Sequence, residues 1–289
     1  MVIFSNPAFL DQLENFGYYN LPFSRVLKEV SKVSHNIKSM KFCKIINQDE
    51  EIIELIGAQN NLEHIILDFC NVSPIKIIKA LESNKLFKTF KLLHSRIDDN
   101  TCLGVLGKCN NLEEIELHNI TFNSNFELPI EENLHLQKLT IDHPKFNSEA
   151  NNSIILTLIM NFGKYLKELV FIVFLDDYSK NTIQIIANYY QNLVFLSIKI
   201  NNREEFNELI NFLDYFQKLK VLKINSIQEI EIIEMNLICN LLDVLPNTTY
   251  SLNIGGDSFK IAKDYVANFT RETNSYHVEI EKLNLHFIF

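Results

Sequence analysis

The sequence predicts an α/β solenoid, in which short parallel strands line a concave sheet and helices cover the outer side. Three observations predict this fold. The six-residue pattern apolar-x-x-apolar-x-apolar occurs ten times in the 289 residues. Its first five copies begin at almost constant intervals, at residues 37, 62, 87, 112 and 136. Between copies, the apolar spacing changes from the period of a strand to that of a helix.

Each copy of the pattern predicts one strand. Its last two apolar residues point to the same face, which we expect to be buried, while the residues beside them point to the other face. Of the anchors, we expect Leu67, Leu92, Leu117 and Ile141 to form one buried row. The ten copies are Ile37-Met40-Phe42, Leu62-Ile65-Leu67, Phe87-Phe90-Leu92, Leu112-Ile115-Leu117, Leu136-Leu139-Ile141, Leu166-Leu169-Phe171, Leu193-Leu196-Ile198, Leu219-Leu222-Ile224, Thr249-Leu252-Ile254 and Ile280-Leu283-Leu285.

The segments between the strands predict outer helices. Residues 155–162 and 261–269 carry apolar residues at helical spacing, and after the seventh copy five more share one helix face: Phe206, Leu209, Ile210, Leu213 and Phe216. In the early repeats, an apolar residue followed by a small polar one predicts a helix N-cap. These pairs are Val72-Ser73, Ile97-Asp98, Phe122-Asn123 and Phe146-Asn147. Residues 123–134 contain Pro129 and predict an extended outer segment instead.

The two ends of the chain predict caps. Before the first repeat, Phe23, Val26, Leu27, Val30 and Val33 have the spacing of an outer helix. No linker interrupts the repeat, so we expect a helical capping segment over residues 1–36 and a solenoid of about ten repeats over residues 37–289. Solenoid ends need covering, and we expect Phe287, Ile288 and Phe289 either to fold back over the last repeat or to leave an open edge.

Composition excludes several function classes. The net charge of -9 argues against a nucleic-acid partner, because binding phosphates requires clustered Lys and Arg. Five dispersed cysteines lack metal-ligand spacing and fit a reducing compartment, so we expect no metal or cofactor and a cytoplasmic or nuclear location. Neither a signal peptide nor an apolar run of membrane-spanning length is present, so we expect no membrane partner. The cysteines are Cys43, Cys70, Cys102, Cys109 and Cys239.

The repeat resembles one class of a known fold family. Residues 62–72 match the first part of the cysteine-containing leucine-rich repeat, L-x-x-L-x-L-x-x-C, and Cys109 stands three residues before Leu112, as is frequent in that class. The class is typical of F-box/leucine-rich-repeat proteins, and the composition is similar to that of the expanded fungal F-box-like families. The resemblance implies a leucine-rich-repeat horseshoe that recognises substrates for an SCF-type ubiquitin ligase.

The F-box itself, the segment that docks the ligase adaptor, is not visible. Leu21-Pro22 is followed by Phe23-Ser24-Arg25-Val26-Leu27, which lacks the glutamate of the F-box pattern. The resemblance therefore implies an SCF adaptor as a partner only if an F-box lies outside this chain. The alternative is a free-standing leucine-rich-repeat scaffold or regulator with no link to a ligase.

Charged residues beside the anchors predict one part of a protein-binding surface on the concave face. Neighbouring parallel strands lie about 4.8 Å apart, so equivalent positions form lateral rows. These rows place Lys91 beside Glu116, Glu114 beside Lys138 and then Glu168, and His118 beside Asp142. The surface is either a charge-patterned docking site or a solvated face whose charges satisfy one another.

Apolar residues predict a second part of that surface. Val170, Ile172, Phe195 and Val221 should lie side by side with little charge between them, and such clusters mark contact sites. The sequence contains no phosphate-binding loop, no zinc-protease motif and no nucleophile elbow, and a His118–Asp142 pair has no nucleophile to activate. The sequence therefore predicts a non-catalytic protein-binding module.

Overall fold

The computed structural model describes residues 12–19, 24–45, 49–69, 74–82, 84–97, 106–122, 135–146, 165–172, 179–200, 202–226, 235–249, 251–255 and 284–288. The chain divides into two compact units, Met1–Phe162 and Gly163–Phe289, and each is described by itself. None of the helices in these ranges combines the length and the apolar composition that crossing a bilayer requires.

The first unit is built around a parallel sheet in which the strands follow one another in the same order as along the chain. Its elements are β1 (Asn15–Tyr19), α1 (Ser24–Val33), β2 (Ser39–Cys43), α2 (Asp49–Gly57), β3 (His64–Asp68), α3 (Pro74–Leu81), β4 (Thr89–Leu93), β5 (Arg96–Ile97), β6 (Glu114–His118), β7 (Thr121–Phe122), β8 (Lys138–Asp142) and β9 (Lys145–Phe146). Strands β1, β2, β3, β4, β6 and β8 pair in that order, all in parallel.

The register confirms the predicted anchors of this unit. The predicted row Leu67, Leu92, Leu117 and Ile141 is aligned across β3, β4, β6 and β8, and all four side chains are buried. Two residues earlier, Ile65, Phe90, Ile115 and Leu139 form a second buried row. Helices α2 and α3 contribute their own buried residues, such as Leu55 and Ile78, to this core.

The segment before the first predicted repeat contributes a strand as well as a helix. Leu27 and Val30 of α1 are buried, as the helical spacing predicted. Strand β1 was not predicted, although Leu13, Phe16 and Tyr18 follow the same six-residue pattern and begin 24 residues before Ile37. Its partner strand is β2, and Tyr18 lies opposite Phe42.

The apolar residues that precede three of the predicted helix N-caps, Ile97, Phe122 and Phe146, lie in a second ladder of short strands. Ile97 and Phe122 are buried in β5 and β7, and β5, β7 and β9 pair in parallel. The polar residue of each predicted N-cap pair lies outside the described residues, as does the segment 123–134. Helix α3 begins directly after Ser73, which agrees with helix entry at that repeat.

The second unit repeats the strand and helix alternation. Its elements are β10 (Glu168–Ile172), α4 (Ser179–Tyr189), β11 (Phe195–Ile200), α5 (Arg203–Phe212), a short 3-10 helix (Leu213–Tyr215), β12 (Val221–Ser226), α6 (Met235–Val244), β13 (Ser251–Gly255) and β14 (Asn284–Ile288). Strands β10 to β14 pair in chain order and in parallel. Residues 155–162 and 261–269, where helices were predicted, lie outside the described ranges.

Helix α5 forms where its apolar spacing predicted a helix. The Asn202 side-chain oxygen accepts a hydrogen bond of 2.9 Å from the Glu205 backbone N–H and caps the helix start. Phe206 and Leu209 are buried, and Leu213 and Phe216 continue the same buried side beyond the helix end.

The ninth copy of the pattern, which begins with a polar residue, is a genuine repeat. Thr249 is buried at the anchor position, and its hydroxyl donates to the Leu219 carbonyl over 2.9 Å. That hydrogen bond removes most of the cost of burying a hydroxyl where the other described repeats have an apolar side chain.

The tenth copy was placed two residues too early. Leu285 and Phe287, rather than Leu283 and Leu285, stand opposite Leu252 and Ile254. Phe287 and Ile288 therefore continue β14, so the predicted fold-back over the last repeat is wrong for these two residues. Phe289 lies outside the described part of the chain.

Candidate functional site

In the first unit, one face of the sheet is buried and the other remains open. Along β3, β6 and β8, buried and half-buried residues alternate strictly. The open face carries His64, Ile66 and Asp68 on β3, and the equivalent residues of the neighbouring strands. Because this face presents side chains at fixed lateral spacing, it is the place where the sheet can contact another molecule.

The middle of this open face holds four charged residues, which we call the charge ladder: Lys91, Glu114, Glu116 and Lys138. The Lys91 ammonium lies 2.7 Å from Glu116 Oε2 and 3.3 Å from Glu114 Oε1. Lys138 lies 3.0 Å from the same Glu114 oxygen. The predicted pairs Lys91–Glu116 and Glu114–Lys138 are therefore confirmed, and Lys91 additionally bridges the two glutamates.

The two charges at the centre of the ladder stabilise each other's ionised form. Burial raises the pKa of Glu114, but the hydrogen bond from Lys138 and the charges of Lys91 and Lys138 outweigh it, so the pKa lies below its usual value. Burial lowers the pKa of Lys91, and Glu116 and Glu114 together outweigh that effect and raise it. Both side chains are thus charged at neutral pH.

His118 and Asp142 contact each other, as predicted, with His118 Nδ1 2.6 Å from Asp142 Oδ2. His143 Nδ1 contacts the other oxygen of the same carboxylate. The Nε2 atom of His118 lies 3.2 Å from the side-chain nitrogen of Asn119. Both ring nitrogens of His118 therefore have partners among the described residues.

One row of residues follows the strands at the carboxyl edge of the sheet. This edge row consists of Lys44, Phe69, His94, Asn119 and His143, each one residue after its strand and each with a φ between 48° and 54°. The backbone N–H groups of Lys44, Phe69, His94 and Asn119 each donate to the carbonyl of the last residue of the next strand. For example, the Phe69 N–H donates to the Leu93 carbonyl over 3.0 Å, and the His94 N–H donates to the His118 carbonyl over 2.8 Å.

Aromatic and imidazole rings stack along this edge. Phe69 and His94 are parallel, with centroids 4.3 Å apart and planes inclined by 5°. His94 then meets His118 edge to face at 5.1 Å, and His118 meets His143 at 6.2 Å. His94 Nδ1 also lies 3.0 Å from Asp68 Oδ1.

His94, His143 and Phe69 were not among the predicted site residues. A signal for them exists, because each stands two residues after the last anchor of its repeat, in register with Lys44 and Asn119. Alternation along a strand cannot place these side chains, since the strand has already ended and the backbone is left-handed.

In the second unit, the open face carries the predicted apolar residues. Val170, Ile172, Phe195 and Val221 are all half-buried, while Leu169 and Phe171 point into the core. The register through β10 is therefore as predicted, even though four apolar residues follow one another there. Phe195 lies between Glu168 and Val221 on the neighbouring strands.

This apolar patch carries more charge than predicted. The Lys223 ammonium lies 5.4 Å from the centroid of the Phe195 ring, a cation–π contact, and Glu168 is exposed beside the same ring. Ser197 and Lys199, which the alternation also places on the open side of β11, are buried. Phe195 is thus an aromatic contact point framed by one cation and one anion.

Potential metal ligands do not cluster in the part of the chain that the structure describes. Within the described ranges, no group of three His, Cys, Asp or Glu side chains is arranged to hold a metal ion. The two described free cysteines are buried, and burial raises the pKa of the Cys109 thiol to about 12. Such a thiol carries almost no thiolate at neutral pH and is a poor nucleophile.

No family model matches the sequence, and no curated protein matches it. Among solved structures, the chain is similar to an internalin from Listeria monocytogenes at 12% identity, with 79% of this chain and 82% of that chain covered and a TM-score of 0.25. The assignment of the fold therefore rests on the repeat of this chain itself. Each unit is an α/β leucine-rich-repeat solenoid, because parallel strands recur in chain order with the anchors in register.

Proposed function

We propose that this chain is a non-catalytic protein-binding module, which holds its partner against the open faces of its sheets. The observation that carries the proposal is Phe195, a half-buried aromatic ring on an open sheet face beside Val221. Binding energy at protein interfaces concentrates in a few large side chains, with aromatic residues prominent among them.

The open face of the first unit supports the same proposal in a different way. In the charge ladder, positive and negative groups are paired at 2.7 to 3.3 Å, so it contributes little net attraction for an oppositely charged partner. Its pattern of two lysines and two glutamates instead selects partners with a matching pattern and disfavours others. We assign affinity to the patch around Phe195 and selectivity to the charge ladder.

The repeat supports a more specific proposal. Because it resembles the cysteine-containing repeats of F-box/leucine-rich-repeat proteins, we propose that the chain is the substrate-recognition part of an SCF-type ubiquitin-ligase receptor. It acts in the cytoplasm or nucleus, as the dispersed cysteines also favour. The receptor then recruits its adaptor through a segment outside the described residues or outside this chain.

Affinity purification of the tagged chain from its native cells, followed by quantitative mass spectrometry, tests both levels of the proposal. Wild type should recover a set of partners that Phe195→Ala loses, while Tyr215→Ala, which removes an exposed aromatic ring from the 3-10 helix after α5, should retain the set. A ligase adaptor and a cullin should remain bound to both variants, since they do not need the open face.

Two outcomes would contradict parts of the proposal. If Phe195→Ala recovers every partner of the wild type, the open face of the second unit is not the binding surface. If partners are lost as expected but no adaptor or cullin is recovered with any variant, the chain is a free-standing scaffold and the ligase proposal is wrong.

A further inference from the structure

We propose that the outer edge of strand β1, the edge opposite β2, is the interface of a symmetric dimer. In this dimer, β1 pairs in antiparallel orientation with β1 of a second copy of the chain. Strand β1 is the first strand of the parallel sheet, and among the described residues it pairs with β2 alone. The inference goes beyond the proposed function and does not depend on it.

Every second residue of β1 directs its backbone polar groups away from β2. The Glu14 carbonyl accepts a hydrogen bond of 3.1 Å from the Ser39 N–H at the start of β2, so it points toward β2. Because this direction alternates along a strand, the backbone groups of Asn15, Gly17 and Tyr19 point to the outer edge. Each of these three residues offers one N–H and one carbonyl to a further strand.

Strand β1 lacks the features that usually keep an edge strand from pairing. Natural edge strands carry lysines, prolines or bulges. The five residues of β1, NFGYY, contain no charge and no proline, and they pair with β2 one to one, without a bulge. The Tyr19 side chain is 59% exposed, and apart from its chain neighbours no described atom lies within 4 Å of the position that a Cβ of Gly17 would occupy. A further strand therefore has room to approach.

The sequence of β1 is self-complementary around Gly17. With a two-fold axis at Gly17, its outward N–H donates to the Gly17 carbonyl of the second copy, and the reverse bond forms as well. Asn15 and Tyr19 of opposite copies exchange the same pair of bonds. On the core side, Phe16 lies opposite Tyr18 of the second copy. No charged residue of β1 has to meet a like charge in this arrangement.

The core side of β1 has room for another aromatic neighbour. Phe16 is only half-buried, whereas Met40 and Ile65, the next residues of its row, are fully buried. The Phe16 ring lies 6.4 Å from the Tyr18 ring and 6.3 Å from the Phe42 ring, measured between centroids. In the dimer, Tyr18 of the second copy covers the remaining exposed area of Phe16. Aromatic pairs on facing strands stabilise a sheet in this way.

The two-fold symmetry limits the association to two copies. Both copies use the same patch, so the dimer leaves no β1 edge open to a third copy. Because the axis is perpendicular to the sheet, the open faces of the two first units lie on the same side. An interface of one strand from each copy is small, so we expect the dimer to dissociate in the micromolar range.

Analytical ultracentrifugation of the full chain tests the proposal. Wild type should change from monomer to dimer as its concentration rises from about 2 to about 200 µM, the range in which small interfaces dissociate. Hydrogen exchange over the same range locates the contact. Exchange at the Asn15, Gly17 and Tyr19 amides should slow as the dimer forms, because their N–H groups become hydrogen-bonded.

A proline at the centre of β1 removes one donor from each copy. The N–H of Gly17 points away from β2, so Gly17→Pro leaves the pairing of β1 with β2 intact. The variant should raise the dissociation constant of the dimer by at least about 10-fold, since both central hydrogen bonds are lost. Leu86→Ala, which removes a 43% exposed apolar side chain from the same unit, is the control and should dimerise as wild type does.

Two double variants test the antiparallel register. Asn15→Lys with Tyr19→Lys places lysine opposite lysine at both ends of the interface. Asn15→Lys with Tyr19→Glu places lysine opposite glutamate and should dimerise at least about 10-fold more tightly than the first variant. Within one strand the two positions are about 13 Å apart, so the difference reports contacts between copies. Circular dichroism checks that each variant is folded.

Several results would overturn the proposal. A wild-type chain that stays monomeric at every concentration has no such interface, and a dimer unchanged by Gly17→Pro uses another surface. Species that keep growing beyond the dimer would indicate head-to-tail association instead of a two-fold axis. Equal dimerisation of the two double variants would exclude the antiparallel register. None of these variants alters Phe195, so the proposed function is tested separately.

Discussion

The two units of this protein use the same repeat but differ in regularity. In the first unit, predicted strand anchors begin 25, 25, 25 and 24 residues apart, as the positions 37, 62, 87, 112 and 136 show. In the second, anchors at 166, 193, 219 and 249 are separated by 27, 26 and 30 residues. The first unit carries a regular row of left-handed residues after its strands, and its open face is charged. The second has an aromatic and apolar open face.

The difference shows what constant repeat length makes possible. When each repeat has the same length, one sequence position falls at the same edge of the sheet in every repeat, so side chains there can form a continuous row such as Phe69, His94 and His143. Repeats of varying length keep the buried anchors in register, as Leu196, Leu222 and Leu252 demonstrate, but allow the connecting segments to diverge. Core packing is thus shared by the two units, while surface chemistry is not.

The largest expected effect tests whether the two cores are equivalent. Leu117 and Leu222 are fully buried anchors in the first and second unit. Replacing either with alanine should lower the free energy of unfolding by about 2 to 5 kcal/mol, through lost burial and the cavity left behind. Urea denaturation followed by circular dichroism measures this, with Lys220→Ala as an exposed control. If Leu222→Ala lowers the free energy of unfolding by less than about 1 kcal/mol while Leu117→Ala lowers it as expected, the irregular repeats of the second unit have a more loosely packed core.

An intermediate effect concerns the open face of the second unit. Phe195→Ala should weaken binding of a purified partner by about 2 kcal/mol, because a large ring is removed from the contact. The free energy of unfolding should change much less than for Leu222→Ala, since Phe195 is only half-buried. Calorimetric titration and urea denaturation of the same preparation separate the two effects. A variant that unfolds would show that the ring is part of the core.

The smallest effect concerns the charge ladder of the first unit. Lys91→Met removes the ammonium between Glu114 and Glu116 and should destabilise the unit by about 1 kcal/mol or less at pH 7. The pKa of Glu114 is lowered in the folded state, so its contribution is present above the unfolded pKa of about 4.3 and disappears as the pH falls through the folded pKa. Wild type and variant should therefore differ less at pH 3 than at pH 7. A difference that grows toward pH 3 would contradict the ladder's role.

The sequence was sufficient to predict nine of the ten repeat strands and the faces of the sheet to which their residues point. Alternation of buried anchors and flanking residues correctly placed Lys91 beside Glu116, and Val170 on the open face despite four consecutive apolar residues. These predictions succeed because the side-chain period of a strand is two and neighbouring repeats lie in register. Strand β1 could have been predicted in the same way, since Leu13, Phe16 and Tyr18 repeat the pattern.

Other features depend on geometry that alternation does not contain. The contact of Lys223 with Phe195 is diagonal between strands, so reading along lateral rows misses it. The backbone at His94 is left-handed although the residue is not a glycine, so the sequence gives no sign of this conformation. The tenth copy was misplaced because Leu283, Leu285 and Phe287 alternate in the same phase, and only pairing with β13 selects the last two.

The most direct test of the central claim is hydroxyl-radical footprinting of the chain with and without a purified partner. If the open faces hold the partner, the bound partner should reduce the oxidation of Phe195 to almost none, because the ring loses its remaining solvent-accessible area. Tyr189 at the end of α4 and Tyr215 after α5 should be oxidised equally in both samples. Protection of Tyr189 and Tyr215 with unchanged oxidation of Phe195 would contradict the account, because the partner would then bind the helical side.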